Sequence, residues 1–206
     1  MNSFETDLKR AVISIPFITG VILELIILLV SGADSDLFKV SIPVLATFPY
    51  STVWLMEYQS GFIKEYIPRC NLKQYILGKL FACGISGGSV EFLGCWIYMQ
   101  IDKEGEINLE LIFVSGVLWA VLAAMLAAWS NSRYIAYGGP FVVYYILVIL
   151  CERYFEDYYC LYPYEWIKPE HIWIFDKQGI IILMSGITLI LGFIYYWILG
   201  RQLKHV

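Results

Sequence analysis

Six apolar stretches, separated by short polar connections, set the rhythm of the chain: Ser14–Ser31, Val40–Tyr58, Tyr75–Gln100, Leu109–Trp129, Tyr134–Cys151 and Gly179–Leu199. A helix needs roughly 17–25 mainly apolar residues to cross a bilayer, so each stretch predicts a transmembrane helix. The connections are too short to fold as a soluble module, and residues 1–206 read as one integral domain of an all-α membrane protein with six spans. Segment Phe4–Ser14 precedes the first span and is amphipathic. Its pattern predicts an interfacial helix with Phe4, Leu8, Ala11 and Val12 toward lipid and Asp7, Lys9 and Arg10 toward water; the alternative is a frayed first turn of span one. No small-x-small cleavage site follows, so the segment is expected to stay in the mature protein.

Composition agrees with the pattern. The chain is 59% hydrophobic and 16% charged, with a mean hydropathy of +0.66, more apolar than a soluble core of this size requires. Its formal charge of -4 gives no reason to expect a nucleic-acid partner. Split by location, Lys9, Arg10, Lys64, Arg69, Lys73, Lys79, Arg133, Arg201 and Lys204 fall on the side of the termini, against Lys39, Lys103, Arg153, Lys168 and Lys177 on the other. The positive-inside rule then places the protein in the cell membrane with both termini cytoplasmic.

Chemistry-bearing motifs are sparse. Five cysteines show no metal or redox spacing; Cys151 and Cys160 near the outer face are either free thiols or a bridge. His171 and His205 have no partner pattern for zinc or for a nucleophile, so no metal site and no catalytic residue is expected. No GxxxxGK[ST] loop occurs. The chain is expected not to be an enzyme and to hold no cofactor of its own.

The connection between spans two and three carries the most specific signal. Glu57 closes span two, Gly61 turns the chain, Phe62–Ile67 predicts a short helix, Pro68 helps end it, and Tyr75-Ile76-Leu77-Gly78-Lys79 leads into span three. Phe62, Ile63, Tyr66 and Ile67 offer apolar anchors for docking, with Lys64 and Glu65 as a polar rim; an ordinary interfacial loop against headgroups is the other reading. This arrangement resembles the loop of type 2 ABC-exporter permeases, in which an acid, a glycine, a short apolar helix and a YILGK-like entry recur. The resemblance extends to the interfacial helix, the six spans and the larger outer segment between spans five and six. It implies that Phe62–Ile67 is a coupling helix docking on a separate ABC ATPase subunit, which binds ATP and Mg, that two permease copies form a homodimer, and that short re-entrant outer helices form an exit gate.

Span two carries Thr47, Tyr50, Ser51 and Trp54 at helical spacing, with Pro49 predicting a local kink. Span five carries Tyr134, Tyr137, Phe141, Tyr144 and Tyr145, with Gly138-Gly139-Pro140 expected to interrupt its helix. By the same resemblance these spans line the route, and the two rows either face each other across a dimer as an amphipathic conduit or serve packing and interfacial anchoring. Gly84 and Gly88 in span three, and Ala120, Ala124 and Ala128 in span four, each predict a face on which a neighbouring helix approaches closely. Glu24 and Glu91 lie inside apolar spans, where an acid is costly; structural hydrogen bonding, a polar vestibule and proton coupling are the open readings. The outer segment Glu152–Lys177 alternates aromatics with acids, suiting short helices that dip into the outer leaflet, or a carbohydrate surface.

Three classes are compatible with this inventory. A proton-coupled carrier is disfavoured by the lack of an internal repeat, and an intramembrane enzyme by the lack of a catalytic constellation. The favoured class is the membrane subunit of an ATP-driven exporter whose cargo is amphipathic or hydrophobic, a peptide rather than a long polysaccharide, with drugs or lipids as the alternative cargo.

Overall fold

The computed structural model describes residues 3–66, 71–102, 107–155, 158–173 and 175–203, without the side chains of Ser3, Glu65 and Tyr66. All regular structure among them is helical: α1 (Ser3–Val12), α2 (Ile15–Ser31), α3 (Asp36–Leu45), α4 (Val53–Gln59), α5 (Phe62–Tyr66), α6 (Leu72–Ile101), α7 (Leu109–Ser130), α8 (Arg133–Arg153), a 3-10 turn at Tyr159–Leu161, and α9 (Asp176–Gln202).

Four helices, α6 to α9, are long and apolar enough to cross a membrane, and α1 with α2 makes a fifth candidate if that pair, bent by 47°, is one span. The bend has a local cause. Ser14 caps α2 by accepting the Phe17 amide at 3.2 Å, and Pro16 sits at the start of the new helix, where a missing N–H costs nothing. Segment α1 is thus a separate helix, as the amphipathic pattern predicts, but Asp7 and Ala11 point into the protein rather than toward water and lipid.

The expected second span, Val40–Tyr58, is not one helix. It divides into α3 and α4 around residues 46–52. Pro43 and Pro49 remove two amide donors, and the chain tightens: Phe48 N–H donates to Leu45 O at 3.1 Å, while the Thr47 hydroxyl takes Val44 O at 2.7 Å and the Ser51 hydroxyl takes Thr47 O. The kink expected at Pro49 is a full break. At Pro140 the opposite holds: α8 runs unbroken from Arg133 to Arg153, so the Gly-Gly-Pro interruption expected there does not occur.

Helix α7 is the central pillar, with 72% of its apolar window buried against 22% for α9. It packs tightly on α6. A Cβ at Gly87 would sit 2.4 Å from Ala120 Cβ, and one at Gly88 would sit 2.8 Å from Phe113 O and from a Val117 methyl. Backbones that close require the small residues found there, and Ala120, Ala124 and Ala128 are all buried.

Candidate functional site

Helix α5 begins at a left-handed glycine, Gly61 with φ +76°, and its first residue Phe62 is 43% exposed. Lys64 is exposed. Ile63 is different: it is buried against the α4–α6 core, so it roots the short helix instead of offering an anchor to a partner. Ile67, the last residue of the expected coupling helix, lies outside the described residues, as do Pro68, Arg69, Cys70 and His205.

The helix that precedes α5 in the chain, α4, is tied at its end into a buried ion-pair cluster. Lys79 Nζ, on α6, lies 2.6 Å from Glu57 Oε1 at the end of α4 and 2.9 Å from Asp7 Oδ1 on α1. The Tyr75 hydroxyl, one helical turn before Lys79, donates to Glu57 Oε2 at 2.7 Å, and the Tyr50 hydroxyl donates to Asp7 Oδ1 at 2.7 Å. Arg10 adds a longer pair to Glu57 at 3.9 Å. The ammonium also stands over both rings, 5.2 Å from the Tyr50 centroid and 5.4 Å from that of Tyr75. One cation therefore ties together α1, the 46–52 break, α4 and α6. Its side chain is only 3% exposed, so the pairing operates with little solvent screening.

The residues of the connecting motif converge in this cluster: the acid Glu57 is gripped by the tyrosine and lysine of Tyr75-Ile76-Leu77-Gly78-Lys79. Sequence reasoning placed Lys79 on the cytoplasmic face and missed Asp7 as its partner. A lysine one turn inside an apolar run was the available signal, because such a side chain must find a counter-charge or reach water.

The span-two row is enclosed. Thr47, Tyr50, Ser51 and Trp54 are all buried within one chain, with Trp54 stacked on Tyr58 at 5.3 Å. From span five, Tyr137 and Phe141 are half-exposed, and Tyr144 is fully buried against Trp119 and Tyr164. The rows meet inside the chain, where the Thr52 and Tyr137 hydroxyls lie 3.0 Å apart.

Glu24 and Glu91 are brought together from α2 and α6, both fully buried. Ser41 on α3 donates to Glu24 Oε2 at 3.0 Å.

The outer segment forms a cap. Tyr164 and Trp166 insert over Trp119 and Tyr144, and the described residues contain a single 3-10 turn where short helices were expected. Cys151 and Cys160 are free thiols. Glu165 organises the fold of this cap: it shares a hydrogen bond with His171 Nδ1 at 2.8 Å and accepts from Trp173 Nε1 at 3.2 Å and from the Glu170 and His171 amides. Burial alone would raise its carboxyl, but these hydrogen bonds outweigh burial and hold it below the usual carboxylate range. A carboxyl lowered by folding stabilises above its unfolded range, and that contribution disappears as pH falls below about 4. Hydrogen exchange at the Glu170 and His171 amides checks this: protection is expected at neutral pH and lost on acidification, and in Glu165→Ala it is expected to be absent throughout.

Three cavities surround these elements. One of about 720 Å³ lies beside His171, Trp173 and Asp176, and one of about 850 Å³ lies between Asp34, Asn108 and Lys168. The third, about 310 Å³ and apolar, lies between α6, α7 and α9 at Leu80, Gly84, Val121 and Phe193. Among the described residues no group of His, Cys, Asp and Glu is arranged to hold a metal ion.

All regular structure of the described residues is helical, and its four or five long apolar helices are compatible with a multi-pass membrane protein. No family model, no curated protein and no solved structure matches it.

Proposed function

We propose that the chain is the membrane subunit of an ATP-driven exporter of the type 2 ABC class, working as two copies with separate ATPase subunits that bind ATP and Mg. The observation that carries this reading is the short helix α5, which follows a left-handed glycine, buries Ile63 in the core and continues α4, whose Glu57 is locked onto Lys79 and Tyr75 of α6 and, through Lys79, tied to Asp7 of α1. A displacement applied at α5 passes along the chain to α4 and from Glu57 to α6 and α1 through ion pairs of 2.6 and 2.9 Å, where a free loop would dissipate it. Hydrolysis takes place in the partner, and this chain converts the resulting pull into a change of access across the bundle. The cargo is amphipathic or hydrophobic and of peptide class, in keeping with the exposed aromatic side chains of α8, Tyr137, Phe141 and Tyr145.

Photo-crosslinking residues placed at Phe62 and Lys64 in the native membrane test the reading. Capture of a nucleotide-hydrolysing protein is expected, and Phe62→Asp is expected to reduce its co-purification by at least about tenfold, the loss of an interface anchor worth roughly 2 kcal/mol. If both positions capture no such protein, or are labelled from the cell exterior, the exporter assignment fails.

A further inference from the structure

Glu24 and Glu91 meet in a place with too few hydrogens for the acceptors it contains. Glu24 Oε1 and both carboxyl oxygens of Glu91 make no well-formed hydrogen bond to a donor of the described residues, the Ala46 backbone being the one donor turned toward Glu91. The fourth oxygen, Glu24 Oε2, faces the Ser41 hydroxyl at 3.0 Å, yet that hydroxyl has one hydrogen and also lies 2.7 Å from Phe38 O. Two ionised carboxylates in this arrangement would leave charge and lone pairs uncompensated in a buried site, at a cost the bundle cannot sustain.

Among the described residues no positive group balances them. From α3 the pair is faced by Ser41, from the break after α3 by the Ala46 backbone, from α6 by Cys95, and from α7 by Gly116; neither acid forms an ion pair with Lys, Arg or His among the described residues. The walls press on the acid stems: a Cβ at Gly94 would stand 2.7 Å from Glu24 Cγ, and one at Gly116 would stand 2.9 Å from Glu91 Cγ. Neither acid lines any of the three cavities described above. A proton is the cation that fits such a site, because it occupies no volume and turns one acceptor into a donor.

We infer that Glu24 and Glu91 form a proton-binding site, with Glu91 protonated and donating to Glu24, and that closure of α2 and α3 onto α6 and α7 carries this proton. The sign follows from the hydrogen count: the packed arrangement binds a proton that an opened, water-filled seam releases, so alkali favours opening. The site stands independently of the exporter reading, since it needs only the packing of one chain.

Infrared spectroscopy of the full chain in lipid vesicles, with carbon-13 glutamate incorporated, tests it. At about pH 8, exposed glutamates are ionised. A protonated glutamic acid carbonyl band that shifts with the label and with deuterium oxide is expected in the unmodified protein. It is expected to vanish in Glu91→Gln, whose amide donates to Glu24 in place of the proton. Absence of the band in the unmodified protein overturns the inference whether or not any variant folds. So does a band that survives in Glu91→Gln, or one that sodium or lithium removes, which would make the occupant a metal ion.

Discussion

Replacing Lys79 by methionine is expected to destabilise the chain by about 3–5 kcal/mol, the cost of removing one partner from a buried ion pair. The side chain is 3% exposed and serves two carboxylates, Asp7 and Glu57, so its loss leaves two negative charges close together without their shared counter-ion. The Tyr50 and Tyr75 hydroxyls can each donate a hydrogen but cannot supply charge. Arginine is expected to rescue only part of the loss, because a planar guanidinium cannot place one nitrogen at 2.6, 2.9 and 3.1 Å from Glu57, Asp7 and Tyr50. Removing the charges as a set, with Asp7→Asn and Glu57→Gln added to Lys79→Met, is expected to recover most of the stability, since neutral amides are far less costly to bury than unpaired carboxylates. Denaturant-induced unfolding of the solubilised chain measures all three. A Lys79→Met variant within about 1 kcal/mol of the parent would mean that the cluster is solvated and does not fasten α4 to α6.

Valine at Gly87 is expected to cost about 3 kcal/mol, at the upper end of overpacking penalties, and alanine there about 1–2 kcal/mol. A Cβ at this position would stand 2.4 Å from Ala120 Cβ and 2.6 Å from Ala46 O. Neither atom is the end of a flexible side chain, so relief requires moving α7 or the 46–52 break as a body. Gly138 and Gly186 serve as controls, with no atom within 4 Å of the site of an added Cβ. Alanine at either is expected to be neutral or to stabilise by up to about 1 kcal/mol through helix propensity. Unfolding midpoints of the four variants decide the matter, and equal effects at Gly87 and Gly138 would remove the close α6–α7 approach as a determinant of the fold.

Helix positions for the long apolar segments were legible because lipid-spanning helices announce themselves by length and composition alone. That α6 and α7 each carry a close-packing face was legible for a related reason, since glycine and alanine recurring every fourth residue leave little to do but admit another backbone; that the two faces meet each other was not. The Gly61 turn and the start of α5 were legible because the local chemistry of a glycine followed by an apolar run sets them. Prolines were harder. Pro49 ends regular helix and Pro140 does not, although both lie in apolar stretches: beside Pro49 the Thr47 and Ser51 hydroxyls donate to Val44 O and Thr47 O and favour a tightened turn, whereas α8 carries no serine or threonine.

The sites were legible only in part, since a linear pattern names the residues that need partners without naming the partners. Lys79, Glu24 and Glu91 each stand out as a polar group inside an apolar run. That Lys79 takes Asp7 from the first helix, and that the two glutamates face each other, depends on how the bend after α1 and the break after α3 fold those elements against α6.

From its sequence alone, this protein is bound to be helical and rich in membrane-length segments, because hydrophobicity and glycine spacing act locally and need no knowledge of the fold. Tertiary structure alone decided which buried charge meets which, that the row of Tyr50 and Trp54 is enclosed within one chain, and that a single ammonium fastens α1 and α4 to α6. Electrostatic pairing acts over a few ångströms in space, and distances that short between residues far apart in the chain exist only after the helices have packed.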